Sequence, residues 1–279
     1  MKSIIGQKLN GEFQPIALLR SNEKPNNALE IEAGMKGYCM MGNFARVVAE
    51  GKTALFSKNT CGCTGAEVAL GFGNAYLTAM PGGADTYAAF FSKGMEDIAD
   101  KEKYLKLAER MDDHSREKFI KGERLHASKE KALRWITELL PIYDYPEKYA
   151  ILKPISELKA SEVPQSVIFT VKPIELSMLI ILAGTTSYES DEIIAPSHAS
   201  GCQTFANYVF AQDEEENPHA VLGLLDLASR EPTLKWIPEE YLTYSIPWKM
   251  YQKMEEAAAG DGIFNSPIWE RLQNRIVNP

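Results

Sequence analysis

The hexapeptide Ser166-Val167-Ile168-Phe169-Thr170-Val171 constrains the fold of this chain more than any other stretch. It is β-branched or aromatic at nearly every position, which suits a pleated and buried strand. Pro173 follows two residues later, where its fixed φ favours the first turn of a helix, and the apolar run 176–183 makes that helix a core element stopping at Gly184. The run is too short to cross a bilayer, which needs about 20 apolar residues. A strand feeding a helix that packs back on it is the building unit of α/β proteins. The same order occurs earlier, where residues 53–57 read as a strand leading through Asn59-Thr60-Cys61-Gly62-Cys63 into another helix.

Further elements fit that scheme. Residues 14–20, 149–153 and 220–227 read as strands. Met40, Met41, Phe44, Val47 and Val48 fall at helical spacing and predict an amphipathic helix over 38–50, stopped by Gly51. Pro238 and Pro247 read as helix starts, the second opening a helix that ends at residue 259. Residues 95–140 interleave Glu, Lys and Arg and read as a solvated helical hairpin broken near Asp112-Asp113, with His114 and His126 as surface histidines. The expectation is an α/β or α+β fold, a mixed sheet with helices packed on it. It forms one compact domain, 1–279, divisible into related halves, 1–145 (with the helical hairpin, 94–140) and 146–279.

Charge narrows the function. A net charge of -8 argues against a nucleic-acid partner, whose phosphates are neutralised by Lys and Arg. The first residues lack the apolar core of a secretory signal, so the expected location is cytoplasmic, with no membrane role. Four cysteines in a chain this long, in a reducing compartment, do not make a disulfide framework. Metal binding, catalysis or simple burial remain.

The cysteines sit at helix starts. Thr64 and Glu67 form a capping-box pattern just after Cys61 and Cys63, Ser200 and Gln203 form another around Cys202, and Cys39 lies near the start of the helix over 38–50. Helix N-termini favour thiolate over thiol. Three readings stay open. In the first, Cys39, Cys61, Cys63 and Cys202 ligate one metal centre; the Cys-x-Cys gap favours an iron–sulfur cluster over zinc, whose structural sites use C-x₂₋₄-C pairs. In the second, Cys63 is a nucleophile or redox thiol with His198 as its base. In the third, a noncatalytic module holds a small molecule with Gly65, the glycine-rich stretch 71–83 and Arg230. The partners that go with these readings are a small-molecule ligand or a redox protein.

The opening Pro15-Ile16-Ala17-Leu18, the run Cys63-Thr64-Gly65-Ala66 leading to Leu70-Gly71-Phe72, the later Gly201-Cys202, and the stretch from Gly223 to Arg230 with Ile237-Pro238 occur in one order over nearly the whole chain. In this the chain resembles the uncharacterised archaeal and bacterial family known as domain of unknown function 169. The resemblance implies no settled reaction, but it implies that cysteines at these places act together. Cys63 belongs to the shared pattern, so Cys61 is the first to be dropped if only three ligands bind. Leu19 departs from the family, whose opening strand carries a lysine there, and the anion-binding role of such a lysine does not carry over.

Overall fold

The computed structural model describes residues 2–31, 39–109, 111, 113–187, 193–260 and 262–277. Ser3 opens α1 (Ile4–Leu9), its hydroxyl accepting the Gly6 N–H at 2.9 Å. Then come β1 (Ile16–Ser21), β2 (Leu29–Ile31), α2 (Met40–Glu50), β3 (Ala54–Ser57) and α3 (Thr64–Ala69). Four helices follow, α4 (Ala84–Phe91), α5 (Lys101–Ala108), α6 (Asp113–Lys121) and α7 (Lys129–Arg134), before β4 (Tyr149–Pro154). The rest of the chain supplies β5 (Ser166–Val171), α8 (Pro173–Gly184), β6 (Ile193–Ile194), α9 (Gly201–Thr204), α10 (Asn207–Glu214) and β7 (Ala220–Gly223). It ends with α11 (Leu227–Thr233), β8 (Leu242–Pro247), α12 (Trp248–Ala259) and α13 (Pro267–Val277).

All eight strands join one mixed sheet in the order β2-β3-β4-β1-β5-β8-β7-β6, which bears out the α/β expectation. Both edges are parallel pairs, β2 with β3 and β6 with β7, and every pair between them is antiparallel. The registers repeat. Ile16 faces Pro154 as Ser166 faces Pro247. Ala54 faces Leu152 as Val221 faces Ser245, and Leu29 faces Ala54 as Ile194 faces Val221. At the centre, Ile16 pairs with Ile168 and Leu18 with Ser166 on either side of Ala17–Val167. Equating Ile16 with Ser166 exchanges those two outer pairs and leaves the middle one in place, so the sheet has a local two-fold axis there. The strands β1–β4 and β5–β8 are the two related sets.

The chain forms two compact units, Met1–Ala66 with Pro146–Pro279, and Glu67–Tyr145. In the first, alternation along β5 and β8 sends Val167, Phe169, Val171, Tyr244 and Ile246 into a core with Leu179, Leu182, Met250, Met254 and Trp269. The opposite face carries buried Ser166, Thr170, Thr243 and Ser245, and the Ser166 hydroxyl donates to the Phe205 carbonyl at 2.7 Å.

The second unit departs from a solvated hairpin. Tyr104 on α5 and Phe119 on α6 stack at 4.0 Å, Phe90 links Phe119 to Phe91, and Tyr76, Tyr87, Phe91 and Trp135 pack on one another, giving the unit an aromatic core of its own. His126 is buried at 4% exposure, its ring 5.3 Å from that of Trp135, so it is not a surface histidine. Asp112 and the His114 side chain lie outside the described residues.

Three strands escaped the sequence pattern, β2, β6 and β8, and β6 is only two residues long. β2 is only three residues long, and β8 lies just ahead of Pro247, whose reading as a helix start drew attention past it. The strand expected over 220–227 stops at Gly223, because Leu224 takes a left-handed conformation with φ 57° and turns the chain into α11. Ser229 and Arg230 are therefore helical. Among the described residues, no helix is long and apolar enough to cross a membrane.

Candidate functional site

The entries to four helices of the first unit build the site. α3 begins at Thr64 itself, and the sulfur of the preceding Cys63 takes the backbone N–H groups of Gly65 and Ala66. The Cys63 thiol thus holds the place of a helix cap, the role expected of Thr64. The same sulfur takes the N–H of Met40, the first residue of α2, and Cys39 is the residue that caps α2.

Cys202 is the second residue of α9, 5% exposed, with its sulfur 3.1 Å from the Ser200 hydroxyl. Gln203 returns its side-chain oxygen to the Ser200 N–H at 2.9 Å, closing the expected capping box. The Gly201 N–H donates to Ser229 Oγ at 2.7 Å. A Cβ at Gly201 would stand 2.8 Å from Met41 Cε and from Ser229 Cβ, so the missing side chain is what lets α9 reach both α2 and α11.

The electrostatics show which cysteines meet. Desolvation pushes the Cys63 thiol up to about 11, with the charge at Cys39 adding to it. Burial likewise raises Cys202, helped by Cys63, Cys39 and Asp226. Cys39, Cys63 and Cys202 therefore stand within electrostatic reach of one another, whereas the buried Cys61 points its thiol at the Cys63 carbonyl, 3.8 Å away. The N–H groups of Gly65, Ala66 and Met40 do pull Cys63 downward, as helix N-termini should, but burial outweighs them and leaves a thiol. Burial thus opposes the activated thiolate expected from the capping pattern.

Asp226 is the member that the sequence pattern missed. It caps α11, its Oδ1 accepting the Ser229 N–H at 2.7 Å, while Oδ2 is buried without a hydrogen-bond partner. Burial raises its carboxyl above the ordinary range. The signal was the Asp226-x-x-Ser229 spacing of a helix cap, hidden by reading 220–227 as one strand.

The remaining candidates stand apart in role. His198 is exposed in the turn before Ser200. Arg230 Nη1 donates to the Glu239 carbonyl at 2.7 Å, and Gly65 gives its N–H to Cys63. The glycines at 82 and 83, with φ 91° and 54°, make a tight turn. Near it the second unit has a cavity of about 230 Å³, lined among others by Thr86, Lys103, Tyr104 and Lys129. Among the described residues, no three His, Cys, Asp or Glu side chains form a ready cage for a single metal ion.

Fold and site together define an α/β protein with an internally two-fold sheet and with thiols at its helix entries. The chain belongs to the family DUF169, described as uncharacterised ArCR, COG2043, which matches residues 4–257. No curated protein and no solved structure matches it.

Proposed function

We propose that the protein carries a cysteine-ligated iron–sulfur cluster, with Cys39, Cys63 and Cys202 as ligands, and serves redox or small-molecule metabolism in the cytoplasm. The observation that carries this is that Cys39 acts on Cys63 and both act on the buried Cys202, on which the Asp226 carboxyl acts as well. Cys39 raises the cost of ionising Cys63, and both raise that of Cys202; a cationic centre reverses that cost by binding the thiolates outright. Thiolates around one zinc, with bonds of about 2.3 Å, stand roughly 3.8 Å apart. The long separations of the cysteines in the sequence favour an iron–sulfur cluster over such a zinc site, whose structural examples use close pairs.

The backbone N–H groups on the Cys63 sulfur then have a use, since hydrogen bonds to ligand sulfur tune a cluster's potential. A nucleophilic Cys63 is the weaker alternative. A thiol near 11 is ionised in roughly one molecule in ten thousand at pH 7. Electrons would pass to a redox partner protein or to a small molecule at the cluster.

Anaerobic reconstitution with iron and sulfide tests the proposal. A brown protein with iron and sulfide in stoichiometric amount is expected, and Cys39→Ala, Cys63→Ala and Cys202→Ala should each lose most of the iron while Cys61→Ala keeps it. Colourless protein holding neither iron nor zinc overturns it.

A further inference from the structure

We infer that the cavity in the second unit binds a free amino acid with an apolar side chain, whose charged end is held at the rim by Asp100 and Lys103. None of the cysteines lines it, so this site stands whether or not they hold a cluster. At about 230 Å³ it falls below the roughly 300–1,000 Å³ of pockets that take drug-sized molecules, which limits its occupant to a molecule of amino-acid size.

The buried part of the wall offers apolar contact. Thr86 and Tyr104 line it at 5% and 2% exposure, but both hydroxyls are already engaged, Thr86 donating to the Pro81 carbonyl at 2.7 Å and Tyr104 to the Phe119 carbonyl at 2.9 Å. Ile98 and Leu107 add aliphatic surface. The glycine turn belongs to the same construction. Gly82 lines the cavity with φ 91°, and a Cβ there would run into the Thr86 hydroxyl, so the missing side chain keeps that hydroxyl on the Pro81 carbonyl.

The rim is charged, and its charges are unequally matched. Asp85 and Lys129 pair with each other at 2.9 Å. Asp100 and Lys103, both exposed, do not pair. Asp100 Oδ1 caps α5 by accepting the Lys103 N–H at 3.0 Å, while its other oxygen and the Lys103 ammonium have no partner among the described residues. One anion and one cation are thus left open at the entry to α5, beside an apolar wall. A molecule with an ammonium for Asp100, a carboxylate for Lys103 and an apolar group for Ile98, Tyr104 and Leu107 meets all three. A plain anion or cation leaves one rim charge unmatched.

The full-length protein, labelled with carbon-13 at its isoleucine and leucine methyl groups, is titrated with L-valine, L-leucine and L-phenylalanine. At least one should shift the Ile98 and Leu107 methyl signals saturably, and glycine should bind at least about tenfold more weakly, for want of an apolar group. Two analogues of the tightest binder, the acid lacking its amine and the amine lacking its carboxylate, should each bind about fivefold more weakly. Asp100→Asn keeps the helix cap, since Asn caps as well as Asp. It and Lys103→Gln should each weaken the tightest binder by a similar factor while the remaining methyl signals stay in place. The assignment is overturned if none of the three amino acids shifts the Ile98 and Leu107 signals, if both analogues bind as tightly as the parent, or if neither substitution weakens binding.

Discussion

Burial and the neighbouring Cys39 hold the Cys63 thiol near 11, against the N–H groups of Gly65, Ala66 and Met40 that draw it down. In the metal-free protein this sets a measurable reactivity. Iodoacetamide should alkylate the Cys63 peptide more slowly at pH 7 than a free model thiol, with the rate rising about tenfold per pH unit toward 11. Peptide mass spectrometry checks it, and a plateau already reached near the ordinary 9.0 would contradict it. The stability linkage runs the same way. A thiol pKa raised above its unfolded value contributes stability that is fully present below about 9 and lost as pH rises through about 11. The cap spacing at Thr64 to Glu67 made a helix start legible at this point, because capping is local chemistry. How deeply the sulfur is enclosed was not legible, since that depends on α2, whose residues come more than ten positions earlier.

Gly223 shows what an element needs in order to dock. It ends β7, and a Cβ there would run into the hydroxyls of Thr204 on α9 and Thr243 on β8. Gly223→Ala should therefore overpack the seat of α9, at a cost of about 1–3 kcal/mol and a melting temperature lower by several degrees. Thermal unfolding of the metal-free protein measures it, and an unchanged midpoint would mean that α9 can shift without cost. β1, β5, α8 and α12 were readable because strand composition and Pro-led starts act within a few residues. β8 was not, although it pairs along its full length with β5. Pro247 both closes that strand and precedes α12, and a residue with two roles hides one of them.

The whole sheet predicts a graded stability. β1 and β5 lie at the two-fold axis with a partner on each side, while β2 and β6 are edge strands of three and two residues. Hydrogen exchange should find the amides of β1 and β5 opening only with global unfolding and those of β2 and β6 opening locally and sooner. Equal protection across the sheet would count against this order. By itself the sequence determined the fold class, the central strands and the capped helix starts that carry the cysteines, because each depends on residues close together in the chain. Only the tertiary structure brought Cys39, Cys63 and Cys202 within electrostatic reach of one another while Cys61 turns to a carbonyl. It alone put Asp226 where its charge acts on Cys202, because strand order and register act across a hundred residues or more, where no local pattern reaches.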